Sequence, residues 1–256
     1  MEAGRLKSVA ILILALVNLA FGVILLGERL DSADLQAQTR SELVSVLRKR
    51  GVELAETQLP TDGPERRFEL SRDIPAEAAL AEAVLGNASG RDQGGSIYYY
   101  ENENGWARFR GSGSFEIAVL SPGGSIEERL KDGGMSLYRE GEAYVCTWAE
   151  SPVFNCRFSL SAFSGGGLLV SGRRLPGSPG EGREAERLDA ATLLLRFLDQ
   201  TNALGVVFTR IERIQPGYAL QVTASSAELL PVWQLETNGG VWYLDTESGE
   251  LLTGLS

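Results

Sequence analysis

"SIYYYENENGWARFRGSGSFEIAVL", residues 96–120, runs at a period of two, with Phe115, Ile117 and Val119 as its plainest example. That period puts alternate side chains on opposite faces of a pleated strand. The stretch therefore predicts strands at 96–101, 106–110 and 114–120. Asn104-Gly105, between the first two, is the strongest short hairpin signal. The tyrosine run at 98–100 has two readings, a ligand-stacking platform or a strand with aromatics on both faces. The second is the commoner use of such a run.

Working outward, "MSLYREGEAYVCTWAESPVFNCRFSLSAF" (135–163) predicts three more strands and "GLLVSGRRL" (167–175) another, with "SIEERLKDGG" (125–134) as a brief helix or turn. "PGSPGEGREAER" (176–187), rich in Gly, Pro and charge, reads as a linker and as a boundary between subunits of the domain. After it, "LDAATLLLRFLDQTNALG" (188–205) predicts a helix capped by Asp189, with Leu194, Phe197, Leu198 and Leu204 on its buried face and Gly205 at its end. Four strands follow, at 206–214, 217–225, 229–237 and 241–246, with Asn238-Gly239 turning between the last two. Trp233 and Tyr243 are expected as core partners across that turn.

Upstream, "PAEAALAEAVLG" (75–86) is a short helix that starts at Pro75 and stops at Gly86. A further helix at 39–51 has Thr39 and Glu42 as a capping box, Leu43, Val46 and Leu47 as its apolar stripe, and Gly51 as its stop. Strands separated by helices in this way predict an α+β domain of antiparallel sheet with a few helices. A helix followed by antiparallel strands occurs near both ends, which suggests two related sheet units.

Residues 9–26 carry no charge, and Ser8 and Gly27 extend the run to twenty residues. As a helix that is about 30 Å, enough to cross a bilayer core. A cleavable export signal has an apolar core of only about 7–15 residues and a small-residue cleavage site, for which the sequence after Gly27 is a poor fit. The run thus predicts a retained signal-anchor. Arg5 and Lys7 lie on one flank and Glu28, Arg29 and Asp31 on the other. The positive-inside rule then leaves residues 1–7 as a cytoplasmic tail, 8–27 as the transmembrane helix and 28–256 outside the cell membrane. Ser8, Ile11, Ala15, Asn18 and Gly22 follow a 3-4-3-4 spacing along one face. Asn18 has two readings: part of a helix-packing seam with Ser8, Ala15 and Gly22, or a tolerated polar residue bonding its own backbone.

Composition narrows the chemistry. The chain carries a net charge of −10 and contains no histidine. Such an acidic surface repels phosphates, so no nucleic-acid partner is expected. Without histidine, the commonest general base and metal ligand are missing, along with every Ser-His-Asp or Cys-His arrangement. Two cysteines alone make no structural zinc site. No phosphate-binding glycine motif is present, and none of the many carboxylate pairs stands out as a glycosidase pair. The expectation is a protein with no catalytic residue, no metal and no cofactor. Cys146 and Cys156 are symmetric about Ser151 in one predicted hairpin. They are either a cross-strand disulfide or two buried free thiols.

The C-terminal stretch "GYALQVTASSAELLPVWQLETNGGVWYLDTESGEL" (217–251) has a Gly-Tyr opening one strand, Pro231 and Trp233 in the next, and an aromatic pair leading to Asp-Thr-x-x-Gly-Glu. With the uncleaved N-terminal helix and the helix just outside it, the chain resembles the YycI-type two-component-system regulatory proteins of Gram-positive bacteria. The anchor and the last forty residues carry the resemblance in detail. It implies an antiparallel α+β ectodomain and no catalysis. It also implies a place beside a membrane sensor histidine kinase governing cell-wall metabolism, with a related YycH-like protein, acting through transmembrane helices. Endings of this kind also occur in PepSY-like domains, so a membrane-tethered extracytoplasmic module that binds a peptide or wall fragment is the alternative.

Overall fold

The structure, a computed structural model, describes residues 40–223 and 226–253. The chain divides into two compact units between Leu59 and Pro60. In the first unit residues 40–49 are an α-helix (α1) with Leu43 and Leu47 buried and Val46 exposed. Thr39, half of the expected capping box, lies outside the described residues.

The second unit contains β1 (Arg66–Leu70), α2 (Ile74–Leu85), β2 (Ser89–Gly94), β3 (Ile97–Asn102), β4 (Gly105–Arg110), β5 (Ser114–Val119) and α3 (Ile126–Asp132). It continues with β6 (Leu137–Glu140), β7 (Ala143–Trp148), β8 (Ser151–Phe163), β9 (Gly167–Arg173), β10 (Pro179–Glu184) and α4 (Ala190–Ala203), and ends with β11 (Ile211–Val222), β12 (Ala227–Thr237) and β13 (Gly240–Asp245). The α+β class expected from the alternation is what forms, with the 13 strands of the described residues in one sheet.

That sheet consists of two antiparallel ladders. One runs β10-β1-β12-β11, with β13 also on β12; the other runs β2-β3-β4-β5-β9-β8, with β7 and then β6 beyond β8. They join where β8 meets β11 in parallel at Val153 and Tyr218. The β8 strand can do this because it is long: one edge holds β7, while the other holds β11 near its start and β9 near its end. The buried Asn155 completes the junction, donating from Nδ2 to Leu220 O and accepting at Oδ1 from Leu220 N, both at 2.8 Å. A side-chain amide here stands in for a peptide group.

The helices cover the faces that alternation leaves apolar. Asp73 caps α2 by accepting from Ala76 N, and Leu80, Ala81, Val84 and Leu85 pack in the main core with Phe109, Phe115, Ile117 and Phe158. Ser125 caps α3 in the same way, accepting from Glu128 N, and Leu130 joins that core. Asp189 caps α4 as expected, and Leu193, Leu194, Phe197 and Leu198 are buried. Leu204, expected with them, is 60% exposed, because it falls at the end of the helix rather than on its inner face.

Other expectations change, and one strand is new. The strands predicted at 206–214 and 217–225 are one strand, β11, running through Pro216 opposite Trp233. Proline fits there because β8 reaches β11 only at Tyr218, so the missing N–H faces an unpaired edge. The stretch read as a linker contains β10, which pairs with β1 from Arg66–Glu184 to Leu70–Pro179. Strand β2 had no signal, being polar and fully exposed along its length. Finally, Trp233 pairs with Leu244, and Tyr243 pairs with Gln234. Trp233 and Tyr243 therefore point to opposite faces: Trp233 is buried, and Tyr243 is half-buried beside Phe154.

Candidate functional site

Strand β7 and the segment after β9 bound a cleft of about 280 Å³ whose wall includes Met135, Cys146, Trp148, Arg174, Leu175 and Ser178. The hairpin β7–β8 sets its position: Trp148 pairs with Ser151 around a two-residue turn, Ala149-Glu150. Cys146 and Trp148 alternate on one side of β7 and so reach the same wall. The opposite wall is held where Gly177 lies against the chain before α2; a Cβ there would fall 1.9 Å from Ser71 O.

Behind this wall is a buried charge cluster. Glu77, on α2 and fully buried, accepts from Arg72 Nε at 3.0 Å and Arg72 Nη2 at 2.9 Å. Arg174 Nη2 lies 3.3 Å from Glu77 Oε1. That contact is an ion pair without hydrogen-bond alignment, since the same nitrogen has no hydrogen-bond acceptor. Arg174 Nη1 donates to Leu175 O at 2.9 Å, and its guanidinium lies over the Phe109 ring. Burial pushes the Arg174 pKa down and Glu77 opposes that shift; a guanidinium remains a cation at neutral pH. Trp148 Nε1, also buried, has no acceptor either. A second groove, along Arg67, Glu69, Arg183 and Glu228, has its arginines tied into ion pairs: Arg67 to Glu228, Asp245 and Glu247, and Arg183 to Glu247.

Both cysteines are buried free thiols. The hairpin is not symmetric about Ser151. After Thr147–Pro152 the register shifts, and the next pair is Val145–Arg157, so Cys146 faces a bulge in β8. Burial pushes the Cys146 thiol up to about 12 and Cys156 well above the ordinary thiol value.

The tyrosine run serves both faces of β3. Tyr100 is buried against Phe109, Tyr98 faces Arg72, and Tyr99 points outward to stack on Trp106 with their rings 6.1 Å apart. The Asp-Thr-x-x-Gly-Glu ending is a folded knot. Thr246 donates from N and from Oγ1 to Pro231 O, at 3.1 and 3.0 Å, and Asp245 Oδ1 accepts from Glu247 N and Ser248 N. Gly249, at φ +69°, donates to Asp245 O. The motif residues thus close the β12–β13 hairpin.

Ser8, Ala15, Asn18 and Gly22, the expected transmembrane seam, lie outside the described residues, as does the whole run 8–27. Among the described residues no helix is long and apolar enough to cross a membrane, and no group of three or more acidic or cysteine residues is placed to hold a metal. No protein-family model and no curated protein matches the chain. Reading the sequence did not single out Arg72, Glu77, Trp148 or Arg174. Glu77 and Arg174 are nearly a hundred positions apart, and a charged residue before or after a strand ordinarily signals a solvated end.

Proposed function

We propose that the chain is a single-pass membrane regulator that tunes a sensor histidine kinase of a two-component system, without catalysing a reaction itself. In this reading residues 1–7 are cytoplasmic, 8–27 anchor the chain, and the α+β unit stands outside, beside the kinase and a YycH-like partner. The twenty-residue uncharged run with Asn18 at its middle carries the proposal. A polar side chain in lipid is costly unless partnered, and Ser8, Ala15 and Gly22 on the same face would let a second helix approach. The resemblance of the C-terminal stretch 217–251 to YycI-type proteins points the same way.

The test is helix association in a membrane two-hybrid assay with the kinase's transmembrane segments. An interhelical hydrogen bond in lipid contributes about 0.6–2 kcal/mol, so Asn18→Leu weakens association by roughly 3- to 30-fold. Gly22→Leu also weakens it, and Leu14→Ile does not. Parental behaviour of both Asn18→Leu and Gly22→Leu at equal protein levels defeats the seam. The cleft beside Trp148 favours a second reading, a tethered binding module, and one chain can be both.

A further inference from the structure

We infer that the cleft beside Trp148 and Arg174 binds a small ligand through a carboxylate. The inference rests on the binding-module reading and adds the ligand's chemistry. At about 280 Å³ the cleft is just below the roughly 300–1,000 Å³ usual for small-molecule sites, with room for a molecule of dipeptide size. Its wall combines apolar surface from Met135, Trp148 and Leu175 with polar groups from Ser136, Thr147, Arg174 and Ser178.

Two donors of that wall lack an acceptor. Arg174, 8% exposed, has an Nη2 with no hydrogen-bond acceptor, and Trp148 Nε1 has none. Buried donors are almost always paired, because an orphan costs about 1–3 kcal/mol. Both nitrogens are shielded from solvent behind the cleft wall, so an acceptor entering the cleft pairs with them by drawing the two side chains toward it. The charge balance selects the acceptor. Two guanidiniums, Arg72 and Arg174, face one carboxylate, Glu77. Asp73 acts on Arg174 from farther off, with its carboxylate engaged as the α2 cap. A monoanion is the most this wall balances. A carboxylate meets that limit, whereas a phosphate monoester at about −1.5 to −2 exceeds it and meets Glu77. Arginine also matches the fork of a carboxylate with two parallel donors.

The full-length chain in detergent micelles is titrated with N-acetylglycylglycine and, separately, with its C-terminal amide, with tryptophan fluorescence and calorimetry as readouts. A probe of this size is expected to bind at about millimolar Kd. The acid binds at least tenfold more tightly than the amide. Trp148→Phe, which keeps an aromatic ring but removes the indole N–H, weakens the acid about tenfold, and Ser178→Trp at the exposed rim abolishes binding; both variants melt like the parent. Equal binding of acid and amide overturns the carboxylate and leaves a binding module. Binding of neither probe overturns both. Acid binding that survives Ser178→Trp unchanged places the site elsewhere and overturns the inference.

Discussion

Asn155 and Leu220 are joined twice, side-chain amide to backbone peptide, at the one place where the two antiparallel ladders meet. Among the described residues Val153–Tyr218 is the one backbone strand pair that crosses from one ladder to the other. Replacing Asn155 with leucine keeps the volume but leaves Leu220 N and O unpaired in the interior. Each buried orphan costs about 1–3 kcal/mol. The expected result is a loss of roughly 2–6 kcal/mol in chemical denaturation. A variant that unfolds like the parent would show that the junction is carried by side-chain packing instead.

Glu77 is the only carboxylate in ion-pair contact with both Arg72 and Arg174 among the described residues. Glu77→Gln preserves shape and leaves the buried Arg174 guanidinium and the partly buried Arg72 guanidinium uncompensated. Removing one partner of a buried ion pair costs about 3–5 kcal/mol. Arg174→Met is expected to cost less, since Arg72 alone still satisfies Glu77 with two hydrogen bonds. Guanidinium melts of the two variants side by side check the order. A milder loss for Glu77→Gln than for Arg174→Met contradicts it.

The thiols give a pH-dependent signature. In the folded chain burial holds Cys146 up to about 12 and Cys156 higher than its ordinary value; in the unfolded chain both ionise from about 8.5. A raised folded pKa means stability that is complete below the unfolded value and falls as pH climbs toward the folded one. Between pH 7.5 and pH 10, Cys146 alone accounts for a loss of about 2 kcal/mol, and a Cys146→Ala, Cys156→Ala double variant flattens that slope. Without reductant, a thiol reagent at pH 7.5 is expected to label neither cysteine in the native chain and both in guanidinium. No label after unfolding would reveal a disulfide.

Local pattern made most of the antiparallel hairpins legible. Alternation in Phe115, Ile117 and Val119 and the Asn238-Gly239 turn correspond to β5 and the β12–β13 hairpin as read. Asn104-Gly105 marked the right hairpin but the wrong centre. The turn residues are Glu103 and Asn104, and Gly105 begins β4 because a Cβ there would fall 1.9 Å from Ala118 O. Strands β2 and β10 were invisible for a different reason. They are polar edge strands whose pairing is dictated by neighbours β3 and β1, not by any apolar face of their own. The cleft was illegible because its defining groups come from α2, β7 and the chain after β9, and no short window contains two of the three charged partners at a telling spacing.

The β7–β8 turn offers a test that leaves the cleft intact. Ala149 and Glu150 both have positive φ, 46° and 65°, as a type I′ turn requires. Residues with a Cβ pay roughly 1–2 kcal/mol each in that left-handed region, a cost that asparagine and glycine largely avoid. Ala149→Asn with Glu150→Gly is therefore expected to stabilise the chain by about 1–2 kcal/mol. In a domain of this size that raises Tm by roughly 2–8 °C. Ala149→Pro, whose ring fixes φ near −65°, cannot make the turn and is expected to destabilise it. Trp148 and Cys146 sit just before this turn, so the Asn-Gly variant should retain the parent's tryptophan emission and thiol protection. A lower Tm for Asn-Gly, or a parental Tm for Ala149→Pro, would mean the strands are joined by some other turn and that Trp148 faces a different wall.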